Sequence, residues 1–401
     1  MDPTLSLLTS DEAYDVLSAA VGSAGGDLVE WRADQVDHRP GASTTVAYRT
    51  VVRWGDVVQT ETLAASAGLG SGQAAPAGVV VLGDGERQVA VWRFPSDPGL
   101  PALAAACDRQ VVGDLLTSLG VAGIAPDASD VRLRVRSYRP RRRAVVEVRA
   151  GAAALFLKVV RPRTVADLHH RHDMLHEAGV PVPRSLGWTD EGLVVLEALP
   201  GTPARHRWQH GGLLPTGQHL TALLDRLPPD TMRLARRRAW AERADHYARV
   251  IGSAVPAERD RVTHLASAVH SGLSGAQPDA PTHGDFYEGQ LLLEGERVTG
   301  LLDVDTVGPG RRADDLACLL AHTHVLALTA GTRARPLMGA LETWRRWFER
   351  VVDPSELRLR TAGVLLSLAT GPHRVQENGW PQATRRRLDA AQWWVERSGS
   401  R

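Results

Sequence analysis

Two acidic segments in the second half of the chain carry the side chains best suited to chemistry. The first reads His283-Gly284-Asp285 and has an amide, Gln290, five residues after the aspartate. The second, Asp303-Val304-Asp305, begins 18 residues after Asp285. Phosphoryl transfer needs a carboxylate that orients the attacking hydroxyl and accepts its proton, together with ligands that hold Mg²⁺. Asp285 suits the first task, and Gln290 and Asp303 offer the hard oxygen atoms that Mg²⁺ prefers.

A single lysine stands out in the composition. Lysine and arginine together number 47, and Lys158 is the only lysine among them. An ammonium is a compact point charge, whereas a guanidinium is a broad planar fork. The run 155–160 is apolar and predicts a buried strand, and a buried ammonium is costly unless an anion faces it. We therefore expect Lys158 to bind phosphate groups; the alternative is that one lysine survived by chance and extends into solvent.

Three neighbouring residues complete the set of candidates. We expect His283 to be a structural histidine that is hydrogen-bonded to loop backbone rather than a base. Asp305 is either a second metal ligand or a carboxylate that caps a turn. Asp315 belongs to the pair Asp314-Asp315 and is expected to support the Asp285 loop through hydrogen bonds.

The elements around these residues follow from hydrophobic patterning. Short apolar runs at 291–293 and 298–302 predict two strands, so that Asp285 enters one strand, Asp303 leaves the other, and both converge on one cleft. Apolar alternation predicts the strands that precede and include Lys158, at 131–138, 144–149 and 154–160. Helical periods dominate after residue 201, at about 229–253, 257–270, 313–329, 334–352, 355–369 and 381–397.

One internal similarity links the first part of the chain to the strands before Lys158. Residues 38–49 match residues 138–149 at four of twelve positions, with an offset of 100. Either the first segment carries a degenerate copy of the later hairpin, or two unrelated turns followed by strands agree by coincidence.

Taken together, the motifs resemble the aminoglycoside phosphotransferase and choline kinase superfamily over about residues 130–400. The resemblance implies an α+β, bilobal, protein-kinase-like fold with a β-rich N-lobe, an α-helical C-lobe and an additional N-terminal cap. The expected domains are the cap at 1–128, the N-lobe at 129–200 and the C-lobe at 201–401. The resemblance further implies that Asp285 is the catalytic base, that Gln290 and Asp303 bind Mg²⁺, and that Lys158 binds the phosphates of ATP.

Gln290 stands where this superfamily usually has Asn, and that choice, with the extra N-terminal domain, resembles the maltokinase and bacterial glucosamine kinase branch. The implied function is transfer of the γ-phosphoryl group of ATP to a hydroxyl of a sugar or amino sugar. An antibiotic-inactivating enzyme that acts on an aminoglycoside-like compound is one alternative, which an acidic acceptor cleft would favour. A catalytically silent pseudokinase is another; Gln290, and histidines at 169, 170 and 172 where a helix glutamate is usual, support it.

Composition excludes other classes of function. A formal net charge of +1 argues against nucleic acid as a partner, and no apolar stretch approaches the roughly 20 residues of a membrane helix. Cys107 and Cys318 lie far apart, which fits a reducing compartment, and the N-terminus lacks a signal-peptide pattern. We therefore expect a cytoplasmic enzyme whose partner is a small molecule; the sequence leaves the oligomeric state open.

Overall fold

The computed structural model describes residues 2–68, 77–83, 88–273 and 277–399. The chain forms two compact units. The first unit contains residues 1–169, 185–198 and 374–378, and the second contains residues 170–184, 199–373 and 379–401. Within the ranges that the structure describes, no helix combines the length and apolarity needed to span a bilayer.

Two five-stranded antiparallel sheets form the framework of the first unit. The strands of the first sheet are β1 (Asp27–Arg39), β2 (Ser43–Trp54), β3 (Val57–Ala67), β4 (Val79–Gly83) and β5 (Gln88–Arg93). Those of the second are β6 (Arg132–Arg139), β7 (Arg143–Ala150), β8 (Ala153–Val160), β9 (Ser185–Thr189) and β10 (Leu193–Glu197). The helices are α1 (Pro3–Thr9), α2 (Glu12–Gly22), α3 (Leu103–Ala106), α4 (Arg109–Ser118) and the start of α5 (Val165–Glu177).

The two sheets share one topology. Their strand orders are β1-β2-β3-β5-β4 and β6-β7-β8-β10-β9, so each strand of the first sheet has a counterpart in the second. Thr45 of β2 pairs with Ser66, and Val145 of β7 pairs with Lys158. The internal similarity predicted from sequence therefore extends beyond one hairpin to a whole sheet, which favours the degenerate copy over coincidence. Because Ser66 stands at the position of Lys158, the first sheet lacks the ammonium.

Separate hydrophobic cores lie against the two sheets. Leucines of α1 and α2 pack on the first sheet, among them Leu8 and Leu17, which are fully buried. Leu103 of α3 and Leu116 of α4 pack instead on the second sheet. The segment just before residue 128, assigned from sequence to the cap, thus contributes to the core of the following sheet, and the domain boundaries at 128 and 200 stay a proposal.

One buried carboxylate holds the turn between β6 and β7. Asp97 accepts hydrogen bonds from the Tyr138 hydroxyl and from the Arg141 backbone N–H, both at 2.7 Å. The Trp92 indole donates in turn to the Tyr138 hydroxyl at 2.9 Å. Arg141 has a φ of +59°, a left-handed conformation that costs a non-glycine residue about 1–2 kcal/mol. The hydrogen bond to Asp97 offsets part of that cost.

The second unit is mainly helical. Its helices are the end of α5, then α6 (Ala204–Gln209), α7 (Gly217–Leu224), α8 (Ala244–Ala254), α9 (Arg259–Gly272), α10 (Arg312–Thr329), α11 (Ala334–Phe348), α12 (Pro354–Ala369), α13 (Gly371–Arg374) and α14 (Trp380–Ser398). Its short strands are β11 (Thr202–Pro203), β12 (Ala280–Thr282), β13 (Leu291–Glu294), β14 (Arg297–Leu301) and β15 (Gly308–Gly310). β13 and β14 are the two strands predicted on either side of the turn at 294–296.

The long helix predicted over 229–253 is wrong in its first half. Residues 234–240 form a loop, short 3-10 turns flank it at Pro229–Arg233 and Ala241–Arg243, and α8 begins only at Ala244. The reason is that side-chain hydrogen bonds hold this loop in a non-helical conformation. Glu242 accepts a hydrogen bond from the Ala239 N–H at 3.2 Å, and the Trp240 indole donates to the Gly284 carbonyl at 3.1 Å. These contacts replace helical hydrogen bonds.

Candidate active site

Lys158 occupies the middle of the second sheet in the first unit. Leu157 and Val159, its neighbours along β8, belong to the core beneath α3 and α4. Because successive side chains of a strand point to opposite faces, Lys158 lies on the face away from that core. It pairs with Val145 on one side and Val194 on the other, and is only 6% exposed. The predicted buried strand position of Lys158 is therefore present.

In the second unit, a fully buried carboxylate shapes the loop that carries Asp285. Asp315, in the first turn of α10, accepts hydrogen bonds at 2.7 Å from the backbone N–H groups of His283 and Gly284. Burial raises the pKa of Asp315 to about 7, although these two hydrogen bonds act in the opposite direction. The supporting hydrogen bonds expected of Asp315 are thus part of the structure.

His283 joins this loop to the loop of Asp303. Its Nε2 lies 2.9 Å from the carbonyl oxygen of Leu302, and its Nδ1 lies 3.3 Å from the Asp285 N–H. The Thr306 hydroxyl donates to the His283 carbonyl at 2.7 Å. Both ring nitrogens therefore face backbone groups, as expected of a structural histidine, and the two acidic loops are held side by side.

The backbone conformation and the close packing at position 284 require a glycine. Its φ is +81°, in the region that favours glycine. A Cβ there would lie 2.7 Å from the Thr306 carbonyl oxygen, too close for any side chain. The tight turn allows both Asp315 oxygens to reach the adjoining N–H groups and sets the direction in which Asp285 leaves the loop.

Gln290 and Asp303 meet as predicted for a pair of metal ligands. The amide nitrogen of Gln290 lies 3.4 Å from Oδ2 of Asp303, and the Leu302 N–H donates to the Gln290 carbonyl at 2.8 Å. Amide oxygen and nitrogen exchange places by a half-turn of the terminal group. Adjacent ligands of an octahedral Mg²⁺ ion are about 3.0 Å apart, so this hard oxygen pair fits that ion.

Asp303 has a strained backbone. Its φ and ψ are +58° and +57°, the left-handed conformation that an aspartate tolerates better than most residues. Asp305 follows in the 3-10 turn Val304–Thr306, and both alternatives for it, metal ligand and turn cap, stay open.

Sequence reasoning missed a buried ion pair in the same segment. Glu288 is completely buried in the turn that contains Gln290, and Arg205 of α6 donates to its Oε1 at 2.8 to 3.0 Å. Burial raises the pKa of Glu288, and the Arg205 guanidinium opposes that rise. The pairing of a residue at 205 with one at 288 has no local sequence signal.

Asp285 is surrounded by groups that the motifs did not reveal. The Cys318 thiol lies 3.9 Å from Oδ1 of Asp285, and His322 is one turn further along α10. The Tyr287 ring stacks on the His322 imidazole with centroids 3.9 Å apart. Burial, and then the negative charge of Asp285, raise the pKa of the Cys318 thiol well above its usual value.

An arginine–aromatic rim, formed by Arg237, Trp240, Arg243 and Tyr247, lies beside the same loop. The Arg237 guanidinium covers the Trp240 ring at 4.6 Å, and Arg243 covers Tyr247 at 5.4 Å. Burial raises the pKa of the Tyr247 hydroxyl. The positive charges of Arg243 and Arg237 lower this pKa and the negative charge of Asp285 raises it, so these three side chains are close enough to act on the hydroxyl. The rim was missed because Arg236-Arg237-Arg238 has the pattern of a solvated helix face.

Five of the seven candidate residues therefore gather in the second unit: His283, Asp285, Gln290, Asp303 and Asp315. Asp305 follows directly in the chain, and Lys158 belongs to the first unit.

Comparison with known protein families identifies a family for this chain. The model of the phosphotransferase enzyme family matches residues 135–350, which is more than half of the chain. The chain belongs to this family. It is a phosphotransferase that acts on hydroxyl groups, and the α+β, protein-kinase-like fold class expected from sequence is confirmed.

Several solved structures are similar to this phosphotransferase at low sequence identity. An aminoglycoside-3′-phosphotransferase of type VIII is 25% identical, with 62% of this chain and 96% of that chain covered and a TM-score of 0.41. An aminoglycoside phosphotransferase from Streptomyces rimosus is 19% identical (62% and 98% covered, TM-score 0.44). A choline/ethanolamine kinase family protein from Mesorhizobium loti is 19% identical (70% and 94% covered, TM-score 0.46). No curated protein sequence matches the chain.

Proposed function

We propose that this phosphotransferase moves the γ-phosphoryl group of ATP to a hydroxyl of a small sugar or amino sugar. The observation that carries the proposal is the loop 283–290. Asp315 fixes its backbone, and the side-chain amide of Gln290 at its end lies next to the Asp303 carboxylate. A proton acceptor and a set of hard metal ligands are what a phosphoryl transfer site needs.

Asp285 is the proposed base. As the acceptor oxygen bonds to the γ-phosphorus, the bond from that phosphorus to ADP breaks, and the hydroxyl proton passes to the Asp285 carboxylate. Gln290 and Asp303 are the residues that would hold Mg²⁺, which neutralises phosphate charge when bound. Lys158, a buried lysine on β8, is proposed to bind the nucleotide phosphates, because its compact positive charge suits the role of the strand lysine in phosphoryl transfer.

The charge of the rim supports a sugar acceptor rather than a polycationic aminoglycoside. Arg237 and Arg243 each place a positive charge over an aromatic ring near Asp285. A like charge about 7 Å away costs roughly 1–2 kcal/mol near a protein surface, and a polycation would meet several such penalties. The partly exposed indole of Trp240, next to polar groups, suits the mixed apolar and polar surface of a sugar.

An acceptor screen tests the proposal. ADP release is measured with neutral sugars, amino sugars and aminoglycosides, each at the same concentration, with wild-type enzyme and with Arg243→Glu. We expect turnover with a sugar, weak or no turnover with aminoglycosides, and a gain of about tenfold for cationic over neutral acceptors in the variant. Preferred turnover of aminoglycosides by the wild type would establish the antibiotic-modifying alternative. Magnesium-dependent ATP binding without ADP release on any acceptor would establish the pseudokinase.

A further inference from the structure

The proposed base belongs to a cluster of three potential metal ligands. The Asp285 carboxylate, the Cys318 thiol and the His322 imidazole each contribute one ligand atom, and these atoms all lie within 4.8 Å of one another. Cys318 and His322 are four residues apart on α10 and so lie on the same face of the helix. Asp285 reaches them from the loop that Asp315 fixes.

The spacing suits a tetrahedral ion that takes sulfur, nitrogen and oxygen. Zinc bonds of about 2.3 Å to sulfur and about 2.1 Å to oxygen put two such ligands about 3.6 Å apart. The observed distance from Cys318 Sγ to Asp285 Oδ1 is 3.9 Å. The remaining distances, at most 4.8 Å, close by side-chain rotation of about 1 Å. The helix supplies two of the three ligands on a rigid element, and the Tyr287 ring orients the imidazole by stacking.

We propose that Asp285, Cys318 and His322 bind one Zn²⁺ ion, and that this ion inhibits phosphoryl transfer by occupying the proposed base. Three protein ligands leave a fourth position for water, as in other three-ligand zinc sites. The thiol and the imidazole select Zn²⁺ against Mg²⁺, which prefers oxygen ligands. The donor set therefore separates this site chemically from the Gln290–Asp303 pair.

The neutral thiol does not prevent binding. Burial and the nearby carboxylates favour the protonated form of Cys318, and formation of the zinc–sulfur bond releases that proton to solvent. Asp285 and His322 are half-buried rather than fully enclosed, so the ion has access from their side. The binding part of the proposal stands on this geometry, and the inhibition rests on the proposed function of Asp285.

Cobalt substitution in the full-length protein gives a readout that is independent of activity. Because the chain has 15 histidines, unspecific imidazole binding is expected, and the signal to follow is the near-ultraviolet absorption of a Co²⁺–thiolate bond. The matched variants are Cys318→Ser and Cys107→Ser, which remove the two cysteines of the chain one at a time. Zinc affinity is then measured in wild type and in every variant by competition with a chromophoric zinc chelator. His322→Asn is a second ligand variant in case Cys318→Ser does not fold.

We expect the thiolate band, at one equivalent of Co²⁺, in the wild type and in Cys107→Ser. Cys318→Ser should lack the band, and both ligand variants should bind Zn²⁺ at least tenfold more weakly. Zinc should inhibit ADP release by the wild type at concentrations that do not inhibit Cys318→Ser. Absence of the band from the wild type, or its loss in Cys107→Ser instead of Cys318→Ser, would overturn the site. A band with no inhibition of an active enzyme would overturn the inhibitory role.

Discussion

Asp315 offers a quantitative test of how the Asp285 loop is held. Its side chain is fully buried, and burial raises its pKa from 3.8 to about 7 in the folded protein. One pKa unit corresponds to 1.36 kcal/mol, so a difference of about 3 units is worth roughly 4 kcal/mol. Asp315→Asn keeps the size of the side chain and removes its ionisation.

The sign of the effect follows from proton linkage. The unfolded chain loses the Asp315 proton near pH 4, whereas the folded chain keeps it up to about pH 7. Between these values the folded state binds more protons, so the free energy of unfolding falls as the pH rises. Above about pH 7 the carboxylate is ionised in both states and the contribution is constant. The asparagine variant lacks this slope.

Urea unfolding of both proteins at a series of pH values from about 4 to about 8 measures the difference. We expect the stability of Asp315→Asn relative to wild type to improve by roughly 4 kcal/mol across that range. At low pH the variant should be the less stable protein, because one of its two backbone N–H partners faces an amide NH₂ group, at a cost of about 1–3 kcal/mol. A stability difference between the two proteins that does not change with pH would contradict a raised pKa of Asp315 in the folded protein.

Measurements of kcat distinguish a specific role of Asp315 in holding the loop from an effect on stability alone. Asp315→Asn should lower kcat at least tenfold, because the backbone on either side of the His283–Gly284 peptide loses a fixed acceptor. The control is Asp314→Asn on the same helix turn. Asp314 contacts Arg360 and the Arg311 N–H and does not touch the loop, so its variant should lose stability with kcat within a few-fold of wild type. Equal losses of kcat in both variants would argue against a specific role for Asp315.

Three further changes test other parts of the account. Lys158→Arg should weaken ATP binding at least tenfold in a direct titration, because a broad planar guanidinium does not replace a compact ammonium at a buried position; wild-type affinity would mean that the lone lysine has no special role. Asp97→Ala should lower the free energy of unfolding by about 1–3 kcal/mol in urea titrations, because the Tyr138 hydroxyl and the Arg141 N–H lose their acceptor; an unchanged free energy of unfolding would contradict this. Arg205→Gln should destabilise the protein more at about pH 8 than at about pH 5, because the pKa of Glu288, already raised by burial, rises further; a pH-independent loss would contradict this.

Much of the fold could be predicted from sequence where one face of an element is buried. The alternating strands around Lys158 and the amphipathic helices of the second unit were found by their periods. β1 and β3 were missed because long stretches of each are exposed, so their alternation is weak. The loop at 234–240 was predicted as helix because its arginines fit a solvated helix face, while its actual conformation depends on contacts with Gly284.

The residues of the candidate site also fall into two groups, those with a local sequence signal and those without one. Asp285, Gln290, Asp303 and Asp315 were identified because their spacing within one segment of the chain already reflects their chemistry. Residues that join the site through tertiary contacts carry no such signal. Trp240 and Arg205 reach the loop from distant elements, and only the packing of the chain reveals the Arg205–Glu288 pair and the approach of Cys318 to Asp285.

The repeated sheet was also partly visible in the sequence. Four identities at an offset of 100 pointed to one hairpin, and the structure extends the likeness to five strands in the same order. Sheet topology survives substitution of nearly every residue because it depends on the pattern of burial rather than on particular side chains. Ser66 at the position of Lys158 indicates that the first copy keeps the architecture without the lysine.

The central claim is that Asp285 accepts the proton of the acceptor hydroxyl. The most direct measurement is ADP release by Asp285→Asn with the best acceptor from the screen, together with the Kd for ATP of the same protein. If Asp285 accepts the proton, kcat of the variant falls by about 10²- to 10⁴-fold, and its Kd for ATP stays within a few-fold of wild type. A kcat near the wild-type value would contradict it.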